Sequence, residues 1–342
     1  MKPTPLLDLR SLKRDYGGGL TGRTATTRAL DGVSLTVDRG SIVGIVGESG
    51  CGKSTLARIV AALDRPTEGH VLLEGDDLFA LPARALARRR RDFQMVFQDP
   101  YGSLDPRQRV GRIVAEPMHV LDPRPSRRDS EARVAEVLAS VGLKPGDAER
   151  FPHEFSGGQR QRIAIARALV TRPKLVIADE AVSALDLSVQ AQVLNLILDL
   201  RERDGVAFLF ITHNLGVVDA ICDRVGVMYL GRLVETGPAN AVFDRPFHPY
   251  TRLLLEAEPR IEDAGAPLPR RAAPLAGDPA DWQGCAFRPR CPLADARCRV
   301  EAPIPRRLDP ASERLVACHH AEAMADEPVR SQGPPPSKAC PS

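Results

Sequence analysis

Nine residues, Gly47-Glu48-Ser49-Gly50-Cys51-Gly52-Lys53-Ser54-Thr55, follow the pattern G-x-x-x-x-G-K-S/T. Glycines so spaced let a loop aim its backbone N–H groups at one point, and the lysine adds a positive charge. That is the chemistry of holding a nucleotide's phosphates. In this reading Lys53 neutralises the β- and γ-phosphates and the Ser54 hydroxyl ligates Mg²⁺. A second stretch, Leu175-Val176-Ile177-Ala178-Asp179-Glu180, ends an apolar run in two carboxylates. Asp179 suits Mg²⁺, directly or through water, which leaves Glu180 to polarise an attacking water. A third, Phe155-Ser156-Gly157-Gly158-Gln159, joins a hydroxyl and bare backbone amides to a helix start. It reads as a second anion site, or as a plain serine N-cap. Two phosphate half-sites about a hundred residues apart in one chain make sense as half of a head-to-tail dimer, with ATP between one P-loop and the other chain's Ser156 turn.

These residues need particular elements to position them. Ser41-Ile42-Val43-Gly44-Ile45-Val46 reads as a short buried strand, and Leu56, Ile59, Val60 and Leu63 mark one face of the helix that follows. Strands are expected at 6–12, with Lys13-Arg14-Asp15-Tyr16 ending the first, and at 30–37, 71–73, 93–97, 174–178 and 206–211. A loop is expected at 17–27 and a turn at 74–77. Val134, Val137, Leu138 and Val141 mark an amphipathic helix, so residues 108–150 read as helical. Helices follow at 159–170 and around Val189, Val193, Leu196, Ile197 and Leu200. Strands alternating with helices imply a largely parallel sheet. Arg88 to Arg91 reads as a solvated face of a short helix, or a contact with a partner or lipid headgroups.

The 342 residues allow two domains, or one with an appendage, and 43% hydrophobic with 27% charged residues is ordinary for a globular chain. A net charge of +3 is too small to argue for nucleic acid. No apolar run approaches a membrane span, and the first residues lack an apolar signal core. The expectation is a cytosolic protein whose seven cysteines form no disulfides. Residues 259–279 read as a Pro/Ala/Arg-rich linker, and 327–342 as a disordered tail.

Taken together, the motifs resemble the ATPase subunits of ABC transporters over roughly residues 5–250. Gly47 to Thr55 matches the Walker A motif and Gln98 the Q-loop. Ser156 to Gln159 matches the signature motif and Leu175 to Glu180 Walker B. Ser183-Ala184-Leu185-Asp186 matches the D-loop, and Ile211-Thr212-His213 the switch-histidine strand. The resemblance implies an α/β P-loop NTPase core with a mainly parallel sheet, an antiparallel β subdomain and a helical subdomain. It implies ATP-driven dimer closure coupled to membrane subunits. Gln98 would sense Mg²⁺ and the water, and His213 would contact the γ-phosphate. Ser156, Gly157, Gly158, Gln159 and Asp186 would act in trans. Tyr16 is the candidate adenine-stacking aromatic, with a structural tyrosine as the alternative. Ala181 stands where the family usually has proline; the carboxylate before it is intact, so hydrolysis is expected.

The finer resemblance is to the ATPases of dipeptide and oligopeptide importers. It lies in Gln98-Asp99-Pro100-Tyr101-Gly102-Ser103-Leu104-Asp105-Pro106-Arg107, in Phe151-Pro152-His153-Glu154-Phe155, and in His248-Pro249-Tyr250-Thr251. Tyr101 resembles the second of the two different ATPases in such systems. A heterodimer with a related ATPase is expected ahead of a homodimer. The other implied partners are two membrane permease subunits, contacted near 98–150, and an extracytoplasmic binding protein, at the cytoplasmic face of the inner membrane. Nickel, glutathione or another small solute is the alternative cargo. A non-transport ABC ATPase would need a long coiled coil or a second cassette, and the sequence has neither. Cys285, Cys291, Cys298 and Cys318 are spaced x5, x6 and x19. Four thiolates can hold an iron–sulfur cluster or zinc, and the absence of a C-x₂-C knuckle weakens the zinc case. The resemblance implies a structural [4Fe–4S] cluster. The expected layout is an ATPase domain at 1–257 with its helical subdomain at about 100–172, a cysteine-bearing segment at 258–326, and the tail.

Overall fold

The structure, a computed structural model, describes residues 4–17, 27–183, 185–257, 283–309 and 312–325. Residues 18–26 of the expected loop, Ala184, the 259–279 linker, Cys340 and the 327–342 tail lie outside the described residues, as do the Pro100 and Tyr101 side chains.

In chain order, β1 (Leu7–Tyr16), β2 (Thr27–Val37) and β3 (Ile42–Val46) precede α1 (Lys53–Val60). Next come β4 (Glu68–Leu73), β5 (Asp76–Asp77), α2 (Ala83–Arg89) and β6 (Phe93–Val96). The helical stretch contains α3 (Pro100–Ser103), α4 (Val110–Ala115), α5 (Arg127–Ser140) and α6 (Gly157–Leu169). Then follow β7 (Leu175–Asp179), α7 (Leu187–Asp204), β8 (Ala207–Ile211), α8 (Leu215–Ile221) and β9 (Arg224–Tyr229). The chain divides between Leu233 and Val234, within β10 (Arg232–Pro238). The second unit adds α9 (Ala239–Asp244), α10 (Pro249–Glu256), α11 (Ala296–Val300), β11 (Leu315–Val316) and α12 (Ala321–Ala325).

In the first unit, β9-β3-β8-β7-β6 form a parallel sheet. Strands β3, β7 and β8 are buried at every residue, as expected of strands covered on both faces. A separate antiparallel sheet has the order β2-β1-β4-β5. Strand β1 continues through Lys13–Tyr16 where a stop was expected. Those polar residues pair with β2, and Lys13 and Arg14 bind Glu68 and Asp64 as ion pairs. The irregularity sits at Ser11, whose φ of 47° bends the strand while its N–H donates to Ser34 Oγ. Glu74 and Gly75 make the turn of a small hairpin that pairs β5 back onto β4.

The arginine run is divided: Arg88 and Arg91 are exposed, as the expected solvated face requires, and the other two turn inward. Arg89 pairs with Glu74, Asp76 and Asp92, and Arg90 donates to the Ala62 carbonyl. Helix α5 buries Val134, Val137 and Leu138 and starts on the Ser126 side chain, so the apolar spacing reads out as packing.

In the second unit β10 and β11 pair antiparallel, with Glu235 opposite Val316. Phe287 from the cysteine-bearing segment packs between the rings of His248 and Tyr250, centroids 5.6 and 5.5 Å away. That packing explains why residues 234–257 group with the C-terminal segment, some 20 residues ahead of the expected 257/258 boundary.

Candidate functional site

Parallel strands present all their C-terminal ends at one edge. Ile45 of β3 pairs with Ile211 of β8, Ile211 with Asp179 of β7, and Ala178 with Val96 of β6. The segments leaving that edge carry the glycine loop, His213, Glu180 and Gln98. Four motifs far apart in sequence therefore meet because the sheet is parallel and in register.

Gly47 to Gly52 form the loop into α1, which starts at Lys53 with Ser54 and Thr55 in its first turn. Gly52 sits at φ 107°, and a Cβ there would meet the Ala29 carbonyl oxygen at 2.4 Å, so only glycine fits. Cys51 is buried, and burial pushes its thiol pKa up. The buried Lys53 ammonium donates to the carbonyls of Gly47 at 2.7 Å and Glu48 at 2.9 Å. Its charge is thus held inside the same loop as Ser49 and Gly50. Ser54 Oγ donates to Asp179 Oδ1 at 3.4 Å, which brings the two expected Mg²⁺ ligands together. Burial pushes the Asp179 pKa up, Ser54 opposes the shift, and the neighbouring Glu180 charge adds to it.

Glu180 is held at φ 48°, a strained conformation for a non-glycine residue, by its N–H bond to the Ile211 carbonyl at 2.8 Å. Its Oε2 accepts from Gln98 Nε2 at 2.8 Å, and its Oε1 lies 3.4 Å from His213 Nδ1. Gln98 thus contacts Glu180 here. His213 is flanked by Thr212, already part of the switch-histidine strand, and by Asn214, which sequence reasoning passed over. The Asn214 N–H donates to Thr212 Oγ1 at 3.1 Å, and the Asn214 side chain caps α8 by accepting from the Val217 N–H. Asn before a helical run was the available signal.

Tyr16 ends β1 with its ring partly exposed. The Arg14 guanidinium lies 4.4 Å from the ring centroid, and the hydroxyl donates to Asp64 Oδ2 at 2.6 Å.

Ser156 and Gln159 form a reciprocal capping box at the start of α6: Ser156 Oγ accepts the Gln159 N–H and Gln159 Oε1 accepts the Ser156 N–H. Gly157 and Gly158 open the helix. A Cβ on Gly158 would meet Val189 Cγ1 of α7 at 2.1 Å, so glycine permits the two helix starts to touch. Asp186 caps α7, accepting from the Val189 N–H at 2.9 Å and Ser188 Oγ at 2.7 Å. These bonds hold its carboxyl below the usual range, the Val189 N–H first.

The four described cysteines of the second unit, Cys285, Cys291, Cys298 and Cys318, are electrostatic neighbours. Burial pushes Cys318 up to about 12, and Cys291, Cys285 and Cys298 add to that shift. Cys285 N–H donates to the Cys298 carbonyl at 2.9 Å, tying the first and third together. Among the described residues the group of three metal-type donors within 4.8 Å of one another is Asp295, Cys298 and His320, which contains one sulfur. Four neighbouring sulfurs are a donor set that an iron–sulfur cluster or zinc can take. Sequence reasoning missed Asp295 and His320. Among the described residues all six cysteines are free thiols, and no helix is long and apolar enough to cross a membrane.

Residues 30–183 match the ABC transporter family model, and residues 234–298 match that of the oligopeptide/dipeptide transporter C-terminal region. The Di/tripeptide transport ATP-binding protein DppF of Pseudomonas aeruginosa is 48% identical, across 93% of this chain and 98% of its own. The Oligopeptide transport ATP-binding protein AppF of Bacillus subtilis is 45% identical, across 92% and 97%. The dimeric ATP-binding cassette MJ0796, solved in a post-hydrolysis state with ADP and Pi, superposes with a TM-score of 0.61 at 31% identity, across 68% of this chain and 98% of that one. With the glycine loop, the paired carboxylates and the C-terminal region all in place, this chain belongs to the ATP-binding proteins of the ABC transporter family, among those that carry the oligopeptide/dipeptide transporter C-terminal region.

Proposed function

We propose that the chain is the ATP-hydrolysing subunit of an importer for dipeptides or oligopeptides. The observation that carries the reading is the convergence on Glu180 of Gln98 and His213, beside the Ser54–Asp179 pair and the Lys53 loop. Glu180 polarises the attacking water, Gln98 and His213 orient it and the γ-phosphate, and Lys53 neutralises charge on the β- and γ-phosphates. Mg²⁺, held by Ser54 and Asp179 with Gln98 near it, would neutralise phosphate charge as in phosphoryl transfer generally. Tyr16 offers the open part of its ring to the adenine. Ser156, Gly157, Gly158, Gln159 and Asp186 act on the nucleotide of a second chain.

The peptide cargo is supported by the names of the two relatives and by the matched C-terminal region. That second chain is a related ATPase, and the pair works on two permease subunits, fed by an extracytoplasmic binding protein, at the cytoplasmic face of the membrane. Cys285, Cys291, Cys298 and Cys318 hold a [4Fe–4S] cluster as a structural clip, a reading supported by their being electrostatic neighbours and by the four-sulfur donor set. The function is tested by reconstituting the chain with permeases encoded beside it. ATP-dependent uptake of a labelled dipeptide, lost in Lys53→Ala, is expected; turnover without any peptide uptake would redirect the cargo to another solute.

A further inference from the structure

We propose that His320 is a positioning residue of the four-cysteine site, giving hydrogen bonds to two of its sulfurs and thereby stabilising whatever negative charge a bound cluster carries. The inference rests on the reading that these cysteines hold an iron–sulfur cluster.

His320 immediately precedes α12, and its carbonyl accepts from the Met324 N–H at 3.2 Å, which fixes its backbone. From that position it reaches the third and fourth cysteines. Its backbone N–H donates to Cys318 Sγ at 3.4 Å. Its ring Nε2 lies 3.6 Å from Cys298 Sγ and 3.4 Å from Asp295 Oδ2. Asp295 is itself fixed, since its Oδ1 accepts the Cys298 N–H at 2.9 Å and caps α11. When Cys298 is a metal-bound thiolate, both neighbours of Nε2 are acceptors with no proton to give. The ring nitrogen therefore carries the hydrogen, shared between sulfur and carboxylate.

A donor on a cluster thiolate draws negative charge off the sulfur, favours the reduced form and raises the potential. It also holds the ligand against release, because ligand orientation depends on such outer partners. Removing the ring takes away the bond to Cys298 and leaves the backbone bond to Cys318 untouched. Glutamine puts an amide N–H back near the same place.

The full-length chain, purified without air, is assayed for iron, zinc and sulfide. It is then titrated electrochemically by EPR as wild type, His320→Ala and His320→Gln. Cluster loss is followed by visible absorption after adding a chelator. The expected result is iron and sulfide in the wild type, with a more negative midpoint potential and several-fold faster loss in His320→Ala, both partly restored in His320→Gln. Iron bound with equal potential and equal loss rate in wild type and His320→Ala overturns the role of His320 alone. Zinc in place of iron, or no metal, in the wild type overturns the cluster reading itself. If His320→Ala retains no cluster, the bulkier apolar His320→Leu decides the matter: a more negative potential and faster loss than in His320→Gln support the role, and values equal to those of His320→Gln overturn it.

Discussion

Gln98 Nε2 donates to Glu180 Oε2 at 2.8 Å, so the residue two positions past the end of β6 meets the carboxylate just past the end of β7. The two strands pair in parallel, and Glu180 is turned back by its left-handed backbone. Glu180→Gln should bind ATP with unchanged affinity yet hydrolyse it at least about 100-fold more slowly, the usual scale for loss of a general base. Single-turnover kinetics beside equilibrium binding checks both halves.

Tyr16, the proposed adenine-stacking residue, also donates a hydrogen bond through its hydroxyl to Asp64. Tyr16→Ala should weaken ATP binding about tenfold, within the range of base–aromatic stacking. Tyr16→Phe should bind ATP like the wild type. Nucleotide titration by calorimetry separates ring from hydroxyl.

Gly158 lies where a methyl group would strike Val189. Gly158→Ala should destabilise the protein by about 1–3 kcal/mol, the scale of overpacking, and Val189→Ala in the same chain should recover most of it. Denaturant melts of the two single variants and the double variant measure the coupling.

Glu74 joins Lys174, Arg39 and Arg89, and the hydrogen bond from Lys174 is the main reason its pKa is lowered to about 2. A carboxylate held low stabilises the fold above its unfolded pKa of about 4.5, and the contribution is lost as pH falls toward 2. Glu74→Gln should therefore cost about 1–2 kcal/mol at pH 7 and nothing near pH 2. Urea melts across that window reveal the convergence.

Arg314 and Glu235, both buried, pair at 2.5 Å, and Glu235 also accepts from Thr251 Oγ1 and the N–H groups of Phe247 and His248. Arg314→Ala strands a buried carboxyl and should cost about 3–5 kcal/mol in the second unit. Hydrogen exchange at β10 and β11 would register the loss.

The sequence made some of this plain. Lys53, Ser54, Asp179 and Glu180 sit in contiguous motifs whose spacing carries their chemistry, and the apolar strands announce themselves. Contacts between distant residues were not legible. Arg89 reaches Glu74 and Asp76, and Arg314 reaches Glu235, because the fold brings them together, and no local pattern encodes the pairing. Lys13 to Tyr16 looked too polar for a strand because their partners, Glu68 and Asp64, lie some 50 residues away. Ser156 displayed its local role, the capping box, while the proposed role toward a second chain lies beyond any one chain's contacts.

That last role is the centre of the account: the P-loop of one chain and the Ser156 turn of another together enclose one ATP. The direct measurement is ATP turnover per chain against assembly state, for wild type and Ser156→Arg, alone and with the related ATPase. The account predicts turnover only where dimers form, and at least about a 100-fold loss in Ser156→Arg, the scale of removing a transition-state contact, with ATP binding to the monomer unchanged. Full-speed hydrolysis by a strict monomer, indifferent to Ser156→Arg, would contradict it.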